Sequence, residues 1–202
     1  MENYDNGETP EIVDIESDAP RFNWKRELWE WTQSLAFALV IVMLVRTFLF
    51  TLVLVDGPSM EPTLSTRDRL YVNKFMYTPQ NGDIVVFTPQ NHPRRPFIKR
   101  VIAIPGQTLE IDFENARVIV NGEVLREEYI NMPTTRRGDV KFPITIPEGY
   151  FFAMGDNRSN SQDSRDASVG DNDNDMGLIS KDRLMGKALF RVWPFNKFGR
   201  IY

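Results

Sequence analysis

The 202-residue chain is predicted to be mainly β, an antiparallel β domain behind one N-terminal transmembrane helix. Three observations carry this. One apolar run, from Trp31 to about Phe50, can cross a bilayer core of ~30 Å at ~1.5 Å per residue. Beyond Val55 the chain changes to short β-rich runs broken by turn residues. No long amphipathic helix interrupts those runs, so they are expected to pair as antiparallel sheet.

Taken in order, residues 1–24 are acidic and carry Pro10 and Pro20, and they read as a disordered, solvated cytoplasmic tail. Arg21, Lys25 and Arg26 lead into the apolar run, and Trp29 and Trp31 suit the interfacial aromatic belt. An arginine at mid-membrane costs about 3 kcal/mol, so Arg46 is placed near one face. The helix is therefore read over about 28–46, within an anchor spanning 25–47, with Thr47 to Val55 following as an apolar strand or a membrane-surface segment. A removable signal peptide fits poorly, because the run starts late and no Ala-x-Ala pattern follows it. A buried core helix is the other reading. Lys/Arg counting favours a cytoplasmic amino terminus only weakly, since Arg46, Arg67 and Arg69 lie beyond the run.

Candidate strands follow from period-2 apolar patterning: Arg69 to Phe75, Asp83 to Phe87, Phe97 to Ile104, Thr108 to Ile111 and Arg117 to Val120. Asn121-Gly122 is a tight hairpin turn. Tyr150 to Met154 and Lys187 to Trp193 complete the set.

Composition narrows the chemistry. The net charge of −4 gives no field to attract nucleic acid, and none is expected as a partner. With no cysteine, disulfides, thiol nucleophiles and cysteine-ligated zinc are excluded. His92 is the only histidine, in the loop Asn91-His92-Pro93-Arg94-Arg95-Pro96, and reads as an exposed loop side chain. A hydrolase built on this chain needs a base other than histidine.

Three segments carry candidate chemistry. In Val55-Asp56-Gly57-Pro58-Ser59-Met60-Glu61-Pro62, Gly57 and the prolines shape the backbone around Ser59, as an exposed nucleophile requires. An ordinary turn reads the same way. In Pro96-Phe97-Ile98-Lys99-Arg100-Val101, Lys99 interrupts an apolar strand, sharing one face with Phe97 and Val101 while Ile98, Arg100 and Ile102 share the other. An edge strand with a snorkelling lysine is the alternative. The third segment, Met154 to Arg165, is dense in small polar residues and reads as a loop.

Together these segments resemble the type I signal peptidase (leader peptidase) family. Ser-Met after a membrane anchor, Lys-Arg-Val-x-x-x-Pro-Gly, and Gly-Asp-Asn-Arg-x-Asn-Ser-x-Asp-Ser-Arg occur in the family's order over roughly residues 28–195. The resemblance implies a signal-peptidase-like antiparallel β catalytic domain over 48–202, with a β-ribbon insertion at about 107–149. It implies a membrane-bound serine endopeptidase with a Ser-Lys dyad, Ser59 as nucleophile and Lys99 as general base. Ser161 matches the serine that orients the lysine. Arg100 with Asp156, and Asp163 with Arg165, match structural support. Val55, Met60, Leu64, Phe97 and Ile98 match substrate-binding positions, which in the family prefer small residues at −1 and −3 of preprotein signal peptides.

The resemblance further implies no cofactor and no metal, a monomer, and a single pass through the cytoplasmic membrane with an extracytoplasmic catalytic domain. Gly57 stands where some members place an oxyanion-binding serine, which leaves a backbone N–H for that task. Ser159 replaces the usual aspartate of the third motif. The stretch Asp171 to Asp175 hints at calcium, but Met176 stands where a calcium hand needs glycine, so a solvated acidic loop is expected. Two other readings stay open. A self-cleaving repressor shares serine–lysine chemistry but is soluble and carries a DNA-binding region. An inactive single-pass protein would use the β domain for binding alone.

Overall fold

A computed structural model describes residues 23–171 and 175–202. The tail up to residue 22 and the centre of the acidic stretch, 172–174, lie outside the described residues. The chain divides into two compact units, one ending at Ile41 and the other spanning Val42–Tyr202.

Helix α1 spans Trp24–Phe48 and buries no residue. Its 25 residues reach about 37 Å at ~1.5 Å each, and it is long and apolar enough to cross a membrane. It starts earlier than the apolar run because Arg26 pairs with Glu30 one turn on at 2.9 Å, and Glu27 favours the first turn. Arg46 falls in the last turn, where a cation complements the helix dipole.

The strands are β1 (Phe50–Leu54), β2 (Arg69–Asn73), β3 (Ile84–Phe87), β4 (Phe97–Ala103), β5 (Thr108–Asp112), β6 (Arg117–Val120), β7 (Glu123–Val124), β8 (Ile144–Thr145), β9 (Tyr150–Met154), β10 (Ile179–Ser180), β11 (Leu184–Trp193) and β12 (Gly199–Arg200). Among the described residues they form two sheets, ordered β1-β2-β11-β3-β4-β9-β10, with β12 on β11, and β7-β6-β5-β8. The ladders are antiparallel. Asn121-Gly122 turns β6 into β7.

Strands β3 and β4 are buried on both faces, and apolar apart from Lys99 and Arg100, because both faces are covered. Ile84, Val86 and Ile98 join one core with Leu64, Leu70 and Val72. Val85, Phe87 and Val101 join another with Phe151 and Ala153. Lying between β3 and β9, β4 is a central strand, which removes the edge-strand reading of Lys99. The smaller sheet turns Leu109, Ile111, Val118 and Val120 onto a third core with Ile102 and Phe152.

Differences from the sequence reading have local causes. The strand expected to reach Phe75 ends at Asn73, whose side chain accepts from the Phe75 N–H at 3.2 Å before Met76 turns the chain at φ +41°. Strands β7, β8, β10 and β12 have two residues each, too few to show a period.

Candidate active site

Ser59 stands on the turn that follows β1. Gly57 takes φ +95°, a conformation that side chains disfavour, and this lets the chain reverse beside the Ser59 backbone. The turn is pinned from behind by Asn157, in the loop after β9. Its N–H donates to the Ser59 carbonyl at 3.0 Å and its side chain to the Pro58 carbonyl at 3.2 Å.

Lys99 sits mid-β4, opposite Val85, and is only 4% exposed. Its Nζ donates to Ser59 Oγ at 2.8 Å and to the Ile98 carbonyl at 2.9 Å, and lies 5.1 Å from the Phe97 ring. Burial pulls its pKa down from the usual 10.5 to about 8; Asp163 and Asp156 draw it back up and Arg165 presses it lower. Two carboxylates are near, yet neither pairs with Lys99, because each is held by an arginine. Arg100 grips Asp156 with two bonds of 2.8 and 2.7 Å, and Thr63 also donates to that carboxylate. Arg165 holds Asp163 at 2.8 Å, and the Gly155 N–H donates to it at 3.0 Å. Burial alone would raise the Asp163 carboxyl, but the hydrogen bonds and charge of Arg165 outweigh it and keep it below the ordinary range.

A groove of about 380 Å³ opens at this pair. Val55, Met60, Phe97 and Ile98 line it with Leu54, while Asp56, Arg94, Arg95 and Gln162 supply polar walls. Leu64, expected among the substrate contacts, does not line it. It is fully buried in the core behind Met60.

The family model described as "Signal peptidase, peptidase S26" matches residues 28–193. The chain belongs to the signal peptidase family. It is 35% identical to signal peptidase I S of Bacillus subtilis (strain 168) over 184 residues, covering 86% of this chain and 93% of that one. It is 37% identical to signal peptidase I P of Bacillus subtilis subsp. natto over 183 residues, at 86% and 93% coverage. A solved signal peptidase I from Enterococcus faecalis V583 matches at 28% identity and a TM-score of 0.42, covering 55% of this chain and 97% of that one. The family makes it a type I signal peptidase, a serine endopeptidase that removes signal peptides.

Within this signal peptidase, sequence reasoning passed over Asn157, Gly155 and Arg158. All three stood in the quoted third motif, but their roles depend on contacts a linear pattern does not reveal. Arg158 is fully buried, donates to the Gly155 carbonyl at 3.0 Å and pairs with Glu127, tying this loop to the segment that leads from the smaller sheet. Ser161 is buried beside Gly155 and its hydroxyl helps hold the Asp163 carboxyl low, while Lys99 Nζ bonds to Ser59 Oγ and the Ile98 carbonyl, so the expected Ser161–Lys99 bond is not among those formed. His92 is half-buried rather than exposed, stacked on Phe97 at 5.8 Å.

Gly155 gives the first prediction. A Cβ there would collide with the Ser59 carbonyl oxygen and with Ser161 Oγ. Part of that clash is with backbone rather than with a flexible side-chain end, so Gly155→Ala should displace the nucleophilic turn. We expect kcat to fall at least tenfold with a stability loss of about 1–3 kcal/mol. Steady-state cleavage assays with a urea melt check this, and a variant with wild-type kcat contradicts it.

Proposed function

We propose that this signal peptidase acts from the membrane and cleaves with Ser59 as nucleophile and Lys99 as general base. The observation that carries the reading is the 2.8 Å contact between Lys99 Nζ and Ser59 Oγ, at a buried lysine left without a carboxylate partner. With the amine charged, Nζ donates to Oγ. Once it is neutral the bond reverses, and Ser59 Oγ–H donates to Nζ.

The neutral amine takes the Ser59 proton as Oγ attacks the scissile carbonyl. The Ser59 N–H, with a second backbone N–H in place of a side chain at Gly57, stabilises the oxyanion. Collapse of the intermediate breaks the peptide bond, and Lys99 passes the proton to the departing amine of the mature protein. Water then hydrolyses the acyl-enzyme by the same route. Ser161, buried beside this centre, orients the amine when substrate seats. Arg100, Asp156, Asp163 and Arg165 hold the frame.

The groove's apolar wall of Val55, Met60, Phe97 and Ile98 receives small side chains at −1 and −3 of the preprotein. Helix α1 serves as the anchor, with the amino terminus cytoplasmic and the β domain outside. Anchoring raises encounter with a substrate that is itself embedded in lipid. The exposed Leu52 on β1 suits contact with the bilayer surface.

The test is incubation of the full-length protein in detergent with a model preprotein, followed by sequencing of the new amino terminus. Cleavage after a small residue that disappears in Ser59→Ala is expected. Retained cleavage by Ser59→Ala would refute the assignment.

A further inference from the structure

Arg94 and Arg95 line the same groove as Ser59 and Lys99, yet neither forms an ion pair or a side-chain hydrogen bond among the described residues. The buried arginines close by are all engaged internally: Arg100 by Asp156, Arg158 by Glu127 and Arg165 by Asp163. Arg94 and Arg95 are exposed charges left over at the place where a peptide must lie to be cut.

The loop that carries them is tied at several points. Asn91 Nδ2 donates to the Ser168 carbonyl at 3.0 Å, which joins the loop to the stretch after Arg165. Two turn bonds, His92 N–H to the Pro89 carbonyl at 3.1 Å and Arg95 N–H to the His92 carbonyl at 3.0 Å, set its curvature. The His92 ring stacks on Phe97 with planes 19° apart, and Pro93 and Pro96 restrict the backbone on either side of the pair. The backbone beneath both guanidinium groups is thereby restrained, while their heads remain without partners among the described residues. Planar guanidinium groups match carboxylates in a two-bond fork.

We propose that Arg94 and Arg95 form a charge-reading subsite that selects an acidic side chain of the preprotein close to the scissile bond. The proposal rests on the reading of this groove as the place of cleavage. Lipid phosphate also suits guanidinium, but the arginines stand in the wall of the concavity that holds Ser59, which a bilayer surface cannot enter and an extended peptide can. Because the pair is exposed, its attraction is modest and screened by salt.

The experiment uses the full-length enzyme in an uncharged detergent. A model preprotein keeps alanine at −1 and −3 and carries Asp, Asn or Lys in turn at −2, +1 and +2. At one of these positions wild-type enzyme is expected to prefer Asp over Lys by about tenfold in kcat/KM at low salt, a ratio that shrinks as salt is added. The double variant Arg94→Gln/Arg95→Gln should flatten the ratio, and Arg94→Glu/Arg95→Glu should reverse it. A ratio near one at every position overturns the proposal, and so does a preference that both variants keep. A flat ratio, combined with a rate that rises on adding anionic phospholipid only while the arginines are present, also overturns it and assigns the pair to lipid. Cleavage of the Asn substrates by wild-type enzyme, and its loss in Ser59→Ala, reports separately on the groove itself.

Discussion

Lys99→Ala and Ser59→Ala should each lower kcat/KM for preprotein cleavage by about a thousandfold or more, with the β domain still folded. Lys99 ends on Ser59 Oγ and the Ile98 carbonyl, and completes no ion pair among the described residues. Its truncation leaves a cavity but also removes a buried charge, so the two effects oppose one another. Lys99→Arg should be as inactive as Lys99→Ala, because a guanidinium stays protonated at any working pH.

The pH profile separates a base from a merely structural lysine. The active form is the neutral amine, so with a pKa of about 8 the rate should climb roughly tenfold per pH unit below that value and level off above it. Stability follows the same group. Its folded value, about 8, lies below the 10.5 of a free lysine, so burying the ammonium destabilises the fold at neutral pH. That cost is present in full below about pH 8. It fades as pH rises towards 10.5, the interval in which the unfolded chain still binds the proton and the folded one does not. A kcat/KM that stays flat from pH 6 to pH 9, or a Lys99→Ala enzyme at wild-type rates, would sink the dyad.

The roles of Ser59, Lys99 and the third segment come with the family resemblance, while the opposed faces of Lys99 and Arg100 are legible because strand alternation is a local rule. The pattern Phe97-Ile98-Lys99-Arg100-Val101 assigns Lys99 and Arg100 to opposite faces, and in the fold they do meet different partners, Ser59 and Asp156. The sequence left open whether β4 lay at an edge, because that depends on β9, whose residues come fifty positions later. Leu64 reads as a groove residue only through the family resemblance, and its apolar side chain alone would read as core; in the fold the Leu64 N–H bonds to the Met60 carbonyl at 2.8 Å and the side chain joins the core. Gly155 and Asn157 act by pressing on and pinning the Ser59 turn, contacts made across almost a hundred residues. The Arg94–Arg95 pair read simply as loop, since only the groove gives it a direction.

Asp156→Ala should destabilise the domain by about 3–5 kcal/mol, the usual effect of leaving a buried charge without its partner. In the Arg100–Asp156 pair the side chains are 3% and 0% exposed. Without Asp156 the Arg100 guanidinium keeps only the Gly82 carbonyl at 2.8 Å, the Tyr202 carbonyl at 3.1 Å and the Tyr129 ring at 4.0 Å, none of which carries a compensating side-chain charge. Thr63 loses its acceptor as well. A urea melt reads the loss, and adding Arg100→Met should recover a large part of it, since an apolar pair avoids the unpaired charge. The surviving activity should carry a second signature. Asp156 draws the Lys99 pKa upward, so removing its charge while Arg100 stays positive should shift the acid limb of the pH–rate profile to lower pH. A variant with a wild-type denaturation midpoint would mean that the pair does not hold the frame. A destabilised variant with an unmoved acid limb would leave the pair its structural role and deny it any hold on the Lys99 proton.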